Sequence, residues 1–290
     1  MTTRADSTIR FALPKGRMQA GVFALFADAG IALREGARNY RPELSIPGFE
    51  AKLLKPQSIV EMLHHGSRDL GFAGADWVAE LSADLVEVFD TGFDPVRLVA
   101  AAPETLLSEG KLPRRRLTIA SEYARLARAW AEREGVDAEV VRSYGATEVY
   151  PPEDADLIVD NTATGSTLKA NGLAIVSELM RSSTRLYANP RTMEDPERRG
   201  RIEDLVMLLK SVVEARRRVM VEVNVSADNL ESVIAVLPCM REPTIAQLHG
   251  EGGYAVRAAV PRKDLPGVIV EIKRRGGSDI VVTSLSQLVP

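Results

Sequence analysis

The stretch from Asp156 to Leu168 combines the residue types most able to do chemistry in this chain. An apolar run, Asp156-Leu-Ile-Val-Asp160, ends in a carboxylate, and a loop carrying Thr164, Gly165, Ser166 and Thr167 follows it. Thr167-Leu168-Lys169-Ala170 then opens a helix. That order suits a sugar phosphate. The Asp160 carboxylate can accept hydrogen bonds from ribose hydroxyls or ligate a hard cation such as magnesium. Gly165 lets the backbone approach a ligand or take a positive φ. The hydroxyls of Thr164, Ser166 and Thr167, with the free amides of a helix start, can surround a phosphate. A plain strand-to-helix turn with Thr or Ser as N-cap has the same composition.

Two other segments have related character. Leu13-Pro-Lys15-Gly16-Arg17 lies between an apolar run and a helical pattern, where Lys15 and Arg17 would put two cations beside helix amides. A polyphosphate suits that place, and so does a charged surface turn. Asp69-Leu-Gly71-Phe-Ala-Gly74-Ala-Asp76-Trp77 sets two glycines around a short apolar strand, with Asp76 at a helix start. This suggests a backbone brought close to a ligand, or a simple N-cap at Asp76, and Trp77 reads as packing. His64, His65 and His249 have no evident partner carboxylate or nucleophile. No Walker loop and no GxGxxG is present, and a reaction whose catalysis is mostly positioning and electrostatics would not need them.

The elements that must hold these residues alternate. Strands are expected at Ile9–Leu13, Glu50–Leu54, Leu70–Ala73, Leu85–Phe89, Arg97–Ala101, Leu117–Ala120, Glu139–Arg142 and Leu157–Asp160. Helices are expected at Met18–Ala29, Gln57–His65, Asp76–Leu81 and Tyr123–Glu134. That alternation predicts an α/β fold with parallel or mixed sheets covered on both faces. Lys111-Leu-Pro-Arg-Arg-Arg116 reads as an exposed, solvated connection. A long helix is expected over Asp195–Arg218, with Ile202, Leu205, Val206, Leu209, Val212 and Val213 on one face. Beyond it the pattern becomes β-α-β-β-α-β: Val219–Val225, Asp228–Val236, Thr244–Leu248, Ala255–Val260, Leu265–Arg274 and Ile280–Thr283. That order is ferredoxin-like and predicts a separate small domain, with a boundary near residue 215.

Composition sets the remaining bounds. With 37 Lys and Arg against 40 Asp and Glu, the net charge of −3 recruits neither nucleic acid nor an acidic membrane. Anionic ligands must be met by local cations and backbone amides. The single cysteine, Cys239, excludes an internal disulfide and a cysteine-based metal site. No stretch approaches the roughly 18 apolar residues of a membrane span, and the N-terminus lacks a signal-peptide core, so a cytoplasmic location is expected.

Taken together, Leu13–Arg17, Asp69–Asp76, Gly92-Phe-Asp-Pro-Val-Arg-Leu98 and Asp156–Leu173 resemble, in order and spacing, the long form of ATP phosphoribosyltransferase, the first enzyme of histidine biosynthesis. The most specific piece is Asp160–Gly172, which looks like that family's phosphoribosyl-pyrophosphate loop. Leu237-Pro-Cys-Met-Arg-Glu-Pro-Thr244 and Val260-Pro-Arg-Lys-Asp264 are similar to its regulatory domain, and the resemblance runs from residue 9 to 288. It implies a two-lobed, periplasmic-binding-protein-like catalytic part. Residues 1–95 would form lobe I, with 185–214 returning to it, and 96–184 lobe II. Residues 215–290 would be a ferredoxin-like (ACT-like) regulatory domain.

The reaction implied joins N1 of ATP to C1′ of phosphoribosyl pyrophosphate and releases pyrophosphate, with Mg2+ as cofactor. By matching positions, Asp160, Thr164, Gly165, Ser166, Thr167 and Leu168 would bind phosphoribosyl pyrophosphate, and Lys15, Arg17, Gly74 and Asp76 would meet ATP or pyrophosphate. Glu148 and Asp160 would face magnesium or ribose, and Arg17 and Asp160 would supply the electrostatics. Histidine, as inhibitor, would meet Asn224, Met240, Glu242, Thr244, Ala259 and Asp279 between subunits of a homo-oligomer, dimer to hexamer. Ser166 departs from the arginine common in the family loop, and Ser58 from an acidic residue. Glu242 and Asp279 stand where small neutral side chains are usual. A two-lobed nucleotide sensor and a magnesium-dependent nucleotide hydrolase are the competing classes; the latter lacks a water-activating base.

Overall fold

Short apolar segments closed by glycine or proline form the first half of the chain. The computed structural model describes residues 7–34, 40–249 and 252–289. β1 (Ile9–Pro14) runs into α1 (Arg17–Asp28), and the two-residue strands β2 (Leu33–Arg34) and β3 (Glu43–Leu44) form a small ladder. β4 (Phe49–Leu54), α2 (Pro56–His64), β5 (Leu70–Gly74) and α3 (Ala75–Glu80) follow. Then come β6 (Val86–Pro103), β7 (Leu117–Ser121), α4 (Ala124–Glu134), β8 (Ala138–Arg142), β9 (Leu157–Thr162), α5 (Ser166–Ala170) and β10 (Leu173–Ala188). α6 (Pro190–Glu194) and α7 (Pro196–Arg217) lead to β11 (Arg218–Ser226), α8 (Leu230–Ile234), β12 (Thr244–Gln247), β13 (Gly253–Pro261), α9 (Leu265–Arg274) and β14 (Ser278–Ser284).

The chain divides into two units, Met1–Ala24 with Ile31–Glu203, and Leu25–Gly30 with Asp204–Pro290. The first is built on an eight-stranded mixed sheet in the order β4-β1-β5-β10-β6-β9-β7-β8. β4, β1 and β5 are parallel, as are β9, β7 and β8. Central parallel strands are covered on both faces and read as continuous apolar runs; all five residues of β5 are buried accordingly. Between the two parallel groups lie β6 and β10, paired antiparallel along almost their whole length. β10 meets β5 only through Thr184–Ala188, and β6 meets β9 only through Arg97–Ala101.

This central pair corrects two expectations. Val86–Phe89, the greater part of the expected Leu85–Phe89, and Arg97–Ala101 belong to one 18-residue strand, continuous through the turn-like Gly92-Phe-Asp-Pro95. β10 was not expected as a strand at all, because its polar residues do not alternate. Register shifts between Ser182 and Thr184, and again to Arg185, explain that: bulges move side chains out of the period-2 pattern. Side chains hold the bulged stretch together. Thr91 Oγ1 donates to the Thr184 carbonyl at 2.6 Å, Ser183 to Asp90 at 2.7 Å and Thr184 to Asp94 at 2.8 Å.

At the start of β5, Asp69 is buried and joins several elements. It accepts from the Arg10 amide at 2.7 Å and from its guanidinium at 2.8 and 2.9 Å, and it pairs with Arg198 at 3.3 Å. Burial pushes its carboxyl up, but the Arg10 hydrogen bonds and the charges of Arg10 and Arg198 outweigh burial and hold it below the usual range.

In the second unit the four-stranded antiparallel sheet has the order β12-β13-β11-β14, carried by a β-α-β-β-α-β succession. β11 alternates strictly: Val219, Val221, Val223 and Val225 are buried with Val233 of α8 and Val268 and Ile272 of α9. Met220, Glu222 and Asn224 point to the other face. The helix expected over Asp228–Val236 is shorter, a 3₁₀ turn at Ala227–Asn229 followed by α8. No helix among the described residues is long and apolar enough to cross a membrane.

Candidate functional site

Parallel strands end together, and the loops that follow them converge. β9 delivers Asp160 and Asn161 at its end, on opposite faces because successive residues of a strand alternate. Thr162, the last residue of β9, accepts the Gly165 amide on its hydroxyl at 2.9 Å, which folds the loop back on itself. Gly165 takes φ 81 and has only Ile175 within ordinary contact of where a Cβ would lie. Its role is therefore conformational, since that φ disfavours any side chain. The Thr164 and Ser166 hydroxyls are 2.9 Å apart, and Thr164, Ser166 and Thr167 are exposed. Leu168 is 4% exposed and sits in a core with Val99, Ala101 and Ile158. Only its backbone remains to meet a ligand.

Beside this loop stand three carboxylates. Gly145 and Ala146, at φ 94 and 48, turn the chain into a 3₁₀ turn at Thr147–Val149, which brings Glu148 up to Asp160. Glu122 follows β7 and is the third. Burial, together with the charges of Glu122 and Glu148, pushes the Asp160 carboxyl up to about 6, against opposing hydrogen bonds from the Asn161 amide and Thr147. An ionised carboxyl held there at a cost is relieved by hydrogen bonds from hydroxyls or by a nearby cation. Among the described residues no three His, Cys, Asp or Glu stand close enough to hold a metal unaided. The donors are hard oxygens, which suit magnesium carried mainly by substrate phosphates and its own waters.

Under the same strand ends lies a hydrogen-bonded set drawn from distant parts of the chain. The Tyr123 hydroxyl donates to Asp76 Oδ2 at 2.7 Å and accepts from Asn161 Nδ2 at 2.7 Å. The Ser182 hydroxyl donates to Asp76 Oδ1 at 2.9 Å, and the Trp77 amide donates to the same oxygen at 3.0 Å. The Trp77 and Tyr123 rings lie 4.7 Å apart between centroids. Burial, then the neighbouring Asp76 charge, pushes the Tyr123 hydroxyl far above its ordinary value, so it stays a donor. Glu80 adds a second tie: its two carboxylate oxygens accept the amides of Arg125 and Leu126 at the start of α4. The elements that follow β5 and β7, one from each parallel group, are thereby fastened together. A strand-end position was the one available signal for Glu122 and Tyr123.

Gly74 and Asp76, expected to meet ATP, have other partners. Asp76 is 4% exposed with both oxygens taken, and a side chain at Gly74 would collide with that carboxylate. Gly71 likewise leaves room for Ala12 and Ile59, so both glycines serve packing. Lys15 and Arg17 flank Gly16, at φ 82, on the end of β1; Arg17 is exposed, and Lys15 Nζ lies 3.8 Å over the Tyr40 ring. Ser58 lies within α2.

The residues expected to meet histidine lie in the strands of the second sheet and in the loop before β12. Asn224 Nδ2 donates to Asp279 Oδ2 at 3.2 Å. Thr244 pairs with Arg257, and Ala259 with Met220, while Met240 and Glu242 precede β12 and are exposed. Met220 and Asn224, which mark the extent of these rows on β11, lie about 13 Å apart along the strand.

Comparison with known proteins bears on both units. A family model described as ATP phosphoribosyltransferase matches residues 55–211, and one described as "HisG, C-terminal domain" matches 215–287. An ATP phosphoribosyltransferase of Pelotomaculum thermopropionicum is 37% identical over 97% of this chain and 99% of its own length. One of Chlorobium phaeobacteroides is 35% identical over 98% of each. Among solved structures, the ATP phosphoribosyl transferase (HisG:HisZ) complex from Thermotoga maritima aligns with a TM-score of 0.64 and 26% identity. It covers 71% of this chain and 99% of that one.

Proposed function

The chain belongs to the ATP phosphoribosyltransferase family, which takes the first step of histidine biosynthesis, and we propose that the strand ends around Asp160 and Gly165 are where it acts. The observation that carries this is the Thr162–Thr167 loop, folded by its own hydroxyls and a positive-φ glycine beside a raised carboxyl. In this reading the hydroxyls of Thr164, Ser166 and Thr167, with the amides up to Leu168, hold the 5′-phosphate. Asp160, with Glu148, accepts the ribose hydroxyls. Lys15 and Arg17, at the end of β1, receive ATP and the pyrophosphate. Asp76 acts at one remove, by fixing Tyr123 and Ser182, and Gly74 leaves room for it.

In the reaction N1 of the adenine ring attacks C1′ as the C1′–O bond to pyrophosphate breaks, and the leaving group keeps the electron pair. Positive charge develops on the sugar and negative charge on the departing oxygens. Asp160 and Glu148 stabilise the first, and Lys15 and Arg17 the second. Bound magnesium would supply charge neutralisation at the pyrophosphate. The two parallel groups, both within the first unit, serve as two lobes closing over the substrates.

Residues 215–290 take the regulatory role: histidine binds on the uncovered sheet face between copies of the chain in a homo-oligomer. Asn224 and Thr244 offer it hydrogen bonds, and Asp279 and Glu242 are placed to meet its ammonium or imidazole. Pyrophosphate release that requires both ATP and phosphoribosyl pyrophosphate tests the reaction. Release with ATP alone would indicate a hydrolase, and binding without turnover a sensor. Inhibition by histidine that phosphoribosyl pyrophosphate does not relieve tests the regulation.

A further inference from the structure

The charged residues of the basic run Lys111–Arg116 are exposed, as expected of a solvated turn, and Lys111–Arg115 also border a cavity of about 720 Å³ within the first unit. Its other walls come from the end of α4 and from Val176 and Ser177 of β10. That volume falls in the range of small-molecule sites. The run precedes β7, and Asp137 precedes β8, so the cavity lies at the starts of these strands. The Asp160 loop lies at their ends, about 15 Å away for five residues of strand.

The charges of the lining sort themselves. Arg115 is spent on Asp156 at 2.6 Å, and Glu134 on Arg133 at 3.0 Å. Lys111, Arg114 and Asp137 line the cavity with no side-chain hydrogen bond or ion pair to another described residue. Two uncommitted cations and one uncommitted carboxylate therefore face a common space. Between them lie Leu112, Val136 and Val176, and the edge of Trp130, whose indole N–H donates to Ser177 at 3.2 Å. A phosphate monoester or nucleotide would meet Asp137 unfavourably and leave the apolar wall unused. A plain hydrocarbon would make no use of the three charges, each of which is exposed and hydrated.

We infer that this cavity binds a free α-amino acid with an apolar side chain. The carboxylate meets Lys111 and Arg114, the ammonium meets Asp137, and the side chain lies on Leu112, Val136 and Val176.

Calorimetry of the full-length protein against a panel of free amino acids tests this. One or more apolar members should bind, and the N-acetyl and carboxamide derivatives of the best binder should each bind about tenfold more weakly or worse, since each loses a charge-assisted contact. Arg114→Ala combined with Lys111→Ala should weaken the free amino acid to the same extent. Val176→Trp, filling the cavity, should abolish binding while leaving turnover of the two substrates unchanged. The derivative series needs only the native protein, so the test stands if a variant fails to fold. No binding by any apolar amino acid would overturn the inference. Binding indifferent to Val176→Trp and to the double alanine variant would do so too, above all if Asn224→Ala in the second unit removed it.

Discussion

Burial and the charges of Glu122 and Glu148 hold the Asp160 carboxyl at about 6 instead of its ordinary 3.8, so the ionised group costs the free protein stability. The sign follows from linkage. The folded protein binds this proton more tightly than the unfolded chain, so the cost is full above about 6 and vanishes below the unfolded value. Asp160→Asn should therefore stabilise the free protein by on the order of 1–3 kcal/mol at neutral pH, and less as pH falls toward the unfolded value. Turnover should collapse in the same variant. Thermal unfolding as a function of pH checks the first half; a lower melting temperature at neutral pH would contradict it. Tyr123→Phe has the opposite character, because it strips a donor from buried Asp76 and an acceptor from Asn161. A loss of about 1.5–3 kcal/mol in denaturant titrations is expected. Asp160 was legible in the sequence because a carboxylate ended an apolar run. Tyr123 was not, because its partners lie 47 residues before and 38 after it.

The elements that read well were those whose environment is uniform along their length. β5 is buried throughout, and β11 alternates without a break, and each pattern is visible in composition alone. β10 faces β5 along one part and β6 along nearly all of it, with register shifts, so no single period describes it. Its existence follows from pairing, which a single sequence does not display. Asp69 shows how the starts of such strands are secured. Its depressed carboxyl contributes stability that is present above the unfolded value and lost as pH falls through the folded one. Asp69→Asn should cost about 2–4 kcal/mol at neutral pH, since it leaves Arg10 and Arg198 facing an amide, and the difference should shrink in acid. Equal stability of the two proteins at neutral pH would contradict the assignment.

At the scale of the molecule, the separate small domain near the C-terminus was legible from its change of pattern, because β-α-β-β-α-β needs only local periodicities. How the eight strands of the first sheet order themselves was not, since β6 and β10 are inserted between the two parallel groups. Of the six residues proposed to meet histidine, Asn224, Thr244, Ala259 and Asp279 lie in the strands of the second sheet, and Met240 and Glu242 precede β12. Substituting Asn224→Ala together with Thr244→Ala should abolish the response to histidine while leaving the uninhibited rate intact. Unchanged inhibition in steady-state assays would move the effector elsewhere.

The central claim is that the loop from Thr162 to Leu168 holds phosphoribosyl pyrophosphate and depends on the left-handed backbone at Gly165. Calorimetric binding of this substrate to the native protein and to Gly165→Val is the direct measurement. A Cβ there meets nothing closer than 3.9 Å, so the variant should fold, and its defect should come from the backbone alone. The account predicts affinity at least about tenfold weaker, corresponding to the 1–2 kcal/mol or more that a branched residue pays at positive φ. Native affinity in a folded Gly165→Val protein would contradict it.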